Sequence, residues 1–350
     1  MATTLVPKDR IPWAHLILVG WLPSALKRLV YRLKGYRIGR GVRFGPFGVV
    51  VGRDVTLADH VSIGAFAIVV GRTIRIGRHS SIGTFSYVAC EQIVIGEDAK
   101  IREQVFVGGP QFPDSRFELG DRTIILQMAY LNPTKPLRIG NDTGIGGHCL
   151  IFTHGSWLNQ LDGYPVTFAP VTIGNSVWLP WRVFVMPGAS IGDGSVIGAN
   201  SLVSGAIPPR SLAVGSPAKV IRSAPDFPKT PSPEDRDRMV NDMLAEFDAF
   251  VGYHGVTVTP GPSGGMYAGS GGTHRLHRRG RGASVPPVAR GDTVLAEEAL
   301  DDAARATLRA AGAFWLDVAG HTRSESGSPL TEELALFLGR YGIRLPRARD

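Results

Sequence analysis

The stretch Val171-Thr-Ile-Gly-Asn-Ser-Val-Trp-Leu-Pro180, continued by Val185-Met-Pro-Gly-Ala-Ser-Ile-Gly-Asp-Gly-Ser-Val-Ile-Gly198, places an aliphatic residue before Gly or Pro at positions 173, 179, 191 and 197. It feeds Pro208-Pro209 and Gly215-Ser-Pro-Ala-Lys-Val-Ile-Arg222. The same beat opens much earlier, in Ile38-Gly-Arg-Gly-Val-Arg, Val51-Gly-Arg-Asp-Val-Thr, Leu57-Ala-Asp-His-Val-Ser, Ile63-Gly-Ala-Phe-Ala-Ile, Ile76-Gly-Arg-His-Ser-Ser and Ile82-Gly-Thr-Phe-Ser-Tyr. A period of six, with a large aliphatic at position one and a small residue at position five, is the pattern of a solenoid β-helix. The aliphatic fills the interior of a flat face, Gly relieves crowding at the corner, and the small residue fits near the axis. One coil cannot bury its own apolar side, so the repeat is stable only as an array.

Composition supports an ordered chain. Its 350 residues are 43% hydrophobic, enough for a large core and more than one structural unit, which excludes a disordered protein. The 44 Gly and 25 Pro residues would suggest low complexity, but the glycines fall largely in phase with the repeat and therefore mark turns. Cys90 and Cys149 have no metal-type spacing, and Cys149 occupies a small-residue position of a repeat. Both are expected to be buried and inert, in keeping with a reducing, cytoplasmic setting.

The net charge of +8 is concentrated at one end. Residues 1–43 hold nine Lys or Arg against the single Asp9, leaving 29 basic and 29 acidic residues in the rest of the chain. Residues 11–26 are apolar but interrupted by Pro12 and Pro23, too short for a membrane span and without a clear signal-cleavage site. Ser24 then caps a helical pattern whose apolar stripe is Leu26, Leu29, Val30 and Leu33, ended by Gly35. Two readings are open for this basic amphipathic arm, residues 1–37. The arm docks on the end of the solenoid, or residues 11–34, with Trp13 and Trp21, make peripheral contact with a membrane. No recognition motif for nucleic acid accompanies the charge.

The solenoid is expected over 38–222, with excursion loops at 107–138 and 152–171 where the six-residue phase is lost. Long loops on a rigid scaffold are where binding residues usually reside. A helical extension follows at 223–254, opened by Ser232-Pro and carrying the stripe Met239, Val240, Met243, Leu244, Phe247 and Phe250, expected to pack back on the last coil. Residues 255–290, rich in Gly, Ser, Arg and His, read as a flexible linker. Residues 291–350 form a small C-terminal segment with helical patterns at 297–311 and 331–341 and a strand around 314–318; no chemistry is assigned to it.

The run from Val171 through Ile197-Gly-Ala-Asn-Ser201 to Ile221-Arg222 resembles the C-terminal coils of the hexapeptide-repeat acyltransferases, in particular the galactoside and maltose O-acetyltransferases. The resemblance is dense over 145–222, weaker over 38–144 and absent in the last hundred residues. It implies an all-β, left-handed parallel β-helix, a homotrimer, and acetyl-CoA or another acyl-CoA as co-substrate without a metal. In that family a histidine precedes the Val-x-Ile-Gly coil, and Phe152-Thr-His154-Gly holds that place here. The chemistry wants such a residue, because a hydroxyl is a poor nucleophile near neutral pH and imidazole is the base whose basicity lies closest to it. His154 is therefore expected to take the proton of an acceptor hydroxyl as its oxygen attacks the thioester. His60, His79 and His148 stand at the fourth position of their repeats and are expected to be exposed corner residues.

The resemblance also implies a cofactor site. Trp178 corresponds to the aromatic residue along the pantetheine arm, Ala199 to a small residue that lets CoA approach the backbone, and Ser204 to a hydroxyl near the adenine. Lys219 and Arg222 correspond to the basic pair near the CoA phosphates, where charge-assisted hydrogen bonds are strong. The chain departs from the family at Gly205-Ala206, where a Lys-Asp pair is usual, and at Trp181 after Pro180, where a small residue is usual. Arg210 is the replacement phosphate contact. On the acceptor side, Tyr130-Leu-Asn132 resembles a sugar-binding Tyr-x-Asn, with a loop-capping Asn as the alternative, and Trp157 and Asp162 would shape the pocket. Asp162 or a backbone carbonyl is expected to orient His154. The function implied is O-acylation of a sugar or glycoconjugate hydroxyl, with N-acylation of an amino sugar or small drug-like acceptor as the alternative. A zinc protein like the γ-class carbonic anhydrases, using His79, His148 and His154, and an inactive scaffold are the remaining readings.

Overall fold

The structure is a computed structural model that describes residues 11–261 and 263–348, so Lys8, Asp9 and Arg10 of the basic arm lie outside the described residues. The chain divides into two compact units, Met1–Lys229 and Thr230–Asp350.

In the first unit, strands mostly two to four residues long visit three sheets in rotation. The strand beginning at Arg37 joins the first sheet, that at Arg43 the second and that at Val49 the third, and the cycle repeats to give sheets of nine, ten and eight strands. Within each sheet, the strands pair in parallel with their counterparts one coil away, as Ile38 with Leu57 and Leu57 with Ile76, the final strand Lys219–Ser223 of the second sheet excepted. This is a three-sided parallel β-helix. The position-one residues stack into continuous inward columns: Leu119, Ile139, Ile173 and Ile191 in the first sheet, Ile101, Ile125 and Ile145 in the second, and Leu131, Ile151 and Val185 in the third. All are buried and belong to one core.

The small position-five residues fill the corners, and the polar ones among them stitch coils together. Thr143 Oγ1 donates to Gly174 O (2.8 Å) and accepts from Val177 N (3.1 Å); Thr123 and Ser195 repeat the arrangement. Cys149 takes the equivalent place at the next corner, its thiol 3.0 Å from Pro180 O. Both cysteines are free and buried, and burial pushes each thiol up to about 11, which leaves it protonated and unreactive at neutral pH.

The solenoid is more continuous than its sequence suggests. Residues 107–138 are not one excursion: Arg116–Leu119, Ile124–Ile125, Tyr130–Asn132 and Leu137–Ile139 are regular rungs, and only the stretch around 108–115 leaves the coil. The second loop is present, carrying a two-stranded hairpin that pairs His154 with Phe168. The solenoid closes where Lys219–Ser223 folds back antiparallel on Ser211–Val214.

At the opposite end the helices Trp13–Leu18 and Ser24–Leu33 cover the first coil. The arm thus docks on the solenoid end, and it does so through its polar side. The outermost coil has carbonyls with no further coil to receive a bond from, and the polar side of the second helix supplies the donors. Lys27 Nζ donates to Gly45 O (2.8 Å) and Gly48 O (3.1 Å), Arg28 to Val42 O (2.9 Å) and Arg32 to Ile38 O (2.9 Å). Tyr31, fully buried, accepts from Val50 N and packs on Tyr36 and Phe44. Burial pushes Lys27 down to about 8, still high enough for an ammonium donor at neutral pH. The stripe residues Leu26, Leu29 and Leu33 are left exposed, while Val30 packs on the core.

The second unit corrects two expectations. Helix Pro233–Tyr253 belongs to it and not to the solenoid: Phe247 and Val251 are buried with Tyr267, Leu334 and Phe337. Residues 255–290 are not a flexible linker, because Thr257–Gly261, Gly264–Gly269 and Gly272–Arg279 are antiparallel neighbours in a six-stranded sheet. The C-terminal segment completes that sheet with Thr293–Ala296, Phe314–Asp317 and Thr322–Arg323, the first two parallel and joined through helix Asp302–Ala310. Helix Pro329–Leu338, capped by Ser328, packs on the sheet.

Truncating a central column residue should expose how the solenoid is held together. Ile125 is fully buried between Ile101 and Ile145, so Ile125→Ala should cost about 2–5 kcal/mol. The expected readout is a lower urea midpoint for the first unit; an unchanged midpoint would contradict the assigned core.

Candidate functional site

His154 lies just beyond strand Leu150–Phe152 of the third sheet, where the chain leaves the prism before re-entering the first sheet at Val171–Ile173. Its position is set from below by Asn132, whose carbonyl accepts from Thr153 N (3.2 Å) and Thr153 Oγ1 (2.7 Å). The hairpin lays Phe168 against the imidazole, ring centres 5.7 Å apart and planes within 19°. Phe112, from the 108–115 stretch, meets the edge of Phe168 at 5.8 Å. Lys135 sits over Phe112 at 5.0 Å and pairs with Asp114 at 2.9 Å. Phe112, Phe168 and Lys135 were not singled out from the sequence, where nothing distinguishes them from other loop residues.

The half-buried ring is desolvated, which lowers its basicity below the ordinary histidine value of 6.5. It is therefore neutral at physiological pH, the state a general base requires. Its Nδ1 is buried with no hydrogen-bond partner among the described residues. Asp162 does not orient it: that residue ends an exposed turn of 3₁₀ helix, Gln160–Asp162, capped by Asn159. Stacking on Phe168 holds the ring instead.

The acceptor-side residues divide. Asn132 is buried and its amide oxygen is committed to the turn, accepting from Thr134 Oγ1 at 2.6 Å and Thr134 N at 3.2 Å, so it plays the loop-capping part. Tyr130 is half-buried in an aromatic column on the outer side of the third sheet, between Phe106 (4.7 Å) and Phe152 (5.5 Å). Trp157, 96% exposed, projects from the hairpin loop together with Leu161, 94% exposed.

The cofactor-side residues share another surface. Trp178 lies on the second sheet, in register with Val196, then Leu212, then Arg222, an outward row across four neighbouring strands. Its indole covers Gly144, where a Cβ would come within 2.5 Å of the ring. Trp181 covers Gly147 in the same way and lies 5.8 Å from His148. The large residue after Pro180 is thus accommodated by a glycine one coil below. Ala199, Ser204, Arg210, Lys219 and Arg222 are all exposed at or beyond the last coils. Within one chain, then, the row through Trp178 runs along the second face while His154 stands at the edge between the third and first.

His60 and His148 are exposed at corners, and His79 stacks on His60 at 4.8 Å. No group of three or more His, Cys, Asp or Glu suited to a metal occurs among the described residues. A shallow groove of about 530 Å³ along the first sheet, lined by Glu118, Asp121, Arg138 and Asn175 among others, includes none of the predicted site residues. Its polar groups are already engaged, since Asn141 Oδ1 accepts from Asp121 N and Asn175 Oδ1 from Asn141 N.

Part of the chain has relatives of known name. Over 60 residues it is 52% identical to galactoside O-acetyltransferase of Escherichia coli K12, a match covering 17% of this chain and 30% of that protein. Over 53 residues it is 57% identical to a Staphylococcus aureus MRSA252 protein named as an acetyltransferase, covering 15% and 27%. The chain resembles the hexapeptide-repeat acetyltransferases. It spans about a third or less of the length of these curated relatives. No protein-family model matches. Solved structures found alongside include galactoside acetyltransferase in complex with coenzyme A (21% identity, 62% of this chain and 81% of that one, TM-score 0.27). A hexapeptide-repeat acetyltransferase of Vibrio cholerae complexed with acetyl-CoA gives 23%, 43%, 70% and 0.27.

The depressed basicity of His154 is directly measurable. Its imidazole ¹H–¹³C signal should titrate below 6.5 in the intact protein, keeping the ring neutral to lower pH than free histidine; a midpoint at or above 6.5 would show that the ring is not desolvated as described.

Proposed function

We propose that this chain is an acyl-CoA-dependent O-acyltransferase that moves an acetyl group to a sugar or glycoconjugate hydroxyl, on a β-helix wound left-handed. The observation that carries the reading is His154: a neutral, half-buried imidazole at the mouth of a loop on a rigid scaffold, its Nδ1 unpartnered. Among the described residues no group fixes the tautomer, so the ring held by Phe168 can carry its proton on the buried Nδ1 and leave Nε2 unprotonated for an incoming hydroxyl. The hydroxyl oxygen attacks the thioester carbonyl as its proton passes to the imidazole. Collapse of the tetrahedral intermediate expels the CoA thiolate, which recovers the proton from the imidazolium and leaves as the thiol. No covalent acyl-enzyme is needed.

The row from Trp178 to Arg222 suits a long, mixed ligand such as CoA, with an indole and aliphatic surface for the pantetheine and cations for the phosphates. Arg210, Lys219 and Arg222 are the candidate phosphate contacts, and Ala199 and Ser204 border the same end. Transfer to oxygen is favoured by the named relative, a galactoside O-acetyltransferase. The pocket for the acceptor is formed by Phe112, Phe168 and the loop bearing Trp157 and Asp162, with Tyr130 and Asn132 supporting it from the coil below.

The separation of His154 from the Trp178 row is the ground for proposing a homotrimer whose sites lie between chains. A loop that holds Trp157 and Leu161 almost wholly in solvent is suited to burial against another copy. Cyclic closure is the common outcome for homo-oligomers.

His154→Ala should lower kcat by about 10²- to 10⁴-fold with little change in CoA affinity. Lys219→Ala and Arg222→Ala should raise KM for acyl-CoA more than they lower kcat, because the phosphates lie far from the reacting carbonyl. Co-refolding His154→Ala with Lys219→Ala chains should restore activity well above either parent. Near-normal turnover by His154→Ala would remove the base assignment; absent complementation with a monomer mass in sedimentation would remove the shared site.

A further inference from the structure

The N-terminal helices present an amphipathic surface turned inside out. Their cations Lys27, Arg28 and Arg32 are drawn inward onto the carbonyls of the first coil, as described above, and their apolar side faces away from the protein. Trp13, Ile17, Leu18, Trp21, Leu29 and Leu33 are each more than half exposed. Scattered exposed hydrophobics are ordinary; this many on two consecutive short helices at one end of a domain is a docking surface. The surface continues onto the prism. Phe47 N donates to Gly20 O (2.7 Å), and Phe47 begins a column in which Phe66 and Phe85 stack at 5.1 and 5.0 Å along one corner.

We propose that this face docks the protein on an anionic lipid bilayer, with the two helices lying in the interfacial plane. Charge selects the occupant. Of the eight Lys or Arg between residues 11 and 53, Lys27, Arg28 and Arg32 are turned inward and Arg37 and Arg40 pair with Asp54 and Asp59, which leaves the exposed Lys34, Arg43 and Arg53 to meet an anionic surface. Lys34 ends the second helix and is exposed; Arg43, also exposed, precedes Phe44, whose N–H donates to Ser24 Oγ at the start of that helix. Cations at the margin of an apolar face meet lipid phosphates, while the indoles of Trp13 and Trp21 suit the headgroup boundary. A second copy is a poor occupant, because a two-fold contact through this face would bring the exposed margin cations Lys34 and Arg43 of two copies toward one another. Strand addition by a peptide is also poor, since the cations of the second helix already hold carbonyls of the first coil. Neither helix is long and apolar enough to cross a membrane, so the mode is peripheral. The proposal does not depend on the acyl-transfer reading.

The test is flotation of the full chain with phosphatidylcholine vesicles, with and without about 30% phosphatidylglycerol. The protein should float with the anionic vesicles, and added salt should release it. Leu29→Glu/Leu33→Glu, two exposed positions, should lower partitioning at least about tenfold while leaving the circular dichroism spectrum and thermal midpoint unchanged. If that variant is misfolded, Trp13→Ser/Trp21→Ser takes its place with the same expectation. Failure of the wild-type chain to float, or equal flotation of a folded variant, would overturn the proposal. So would a sedimentation mass that drops when the face is charged, which would assign it to contact between copies.

Discussion

Coils of the solenoid turn two of their three corners through a residue in the left-handed conformation, and most of these residues are not glycine. Phe47, Phe66 and Phe85 adopt φ of 54°, 54° and 58° at one corner, and His60 and His79 adopt 61° and 57° at another. Each such residue is disfavoured by roughly 1–2 kcal/mol in isolation. Its N–H, however, donates to the preceding coil: His60 to Arg40 O at 2.8 Å and Phe85 to Ala65 O at 2.9 Å. The strain is therefore tolerated only where coils stack in register. Register in turn aligns the inward aliphatic columns, and a slip would break both at once. The rigid edge from which the His154 loop departs follows from this constraint.

A stack of parallel rungs must also end. The last rungs are covered by the antiparallel return of Lys219–Ser223, which carries two of the candidate phosphate ligands. The first rungs are covered by a helix that offers Lys27, Arg28 and Arg32 as donors. Both ends are solved by placing polar or charged groups on exposed backbone, and each solution leaves a distinct exposed surface. One creates a basic lip beside the Trp178 row; the other frees an apolar face toward the surroundings.

The parts legible in the sequence were those in which side-chain size alone records position. Ile-Gly pairs fixed the coils over 38–101 and 171–207, and Cys149 is buried and His60 and His148 exposed as their places in the hexad imply, whereas His79 is half-buried where it stacks on His60. The coil around 119–131 was missed because Ile125 is followed by Leu126 and Leu131 by Asn132, although the six-residue spacing of aliphatics persists. The strands at 257–279 were missed because Tyr267 and Leu276 are their only buried large apolar residues. Too little alternation remained to outweigh the glycines. The N-terminal arm docks on the solenoid end as expected; that it does so through Lys27, Arg28 and Arg32 follows from the first coil's carbonyls, which a stripe pattern does not record. Within the candidate site, His154 was singled out by the family resemblance of its place before the next coil. Phe112 and Phe168 were not, since their role arises from two loops meeting in space.

Acyl transfer to oxygen is the central claim, and it leaves a chemical signature in the product. Purified protein would be incubated with acetyl-CoA and a panel of mono- and disaccharides, followed by mass spectrometry before and after mild alkali. The account predicts a sugar that gains one acetyl increment, loses it under mild alkali as an ester does, and forms in step with released CoA thiol. An alkali-stable product, confined to acceptors with an amino group, would contradict transfer to oxygen. No acceptor-dependent release of CoA from a chain that binds it would contradict the enzyme itself.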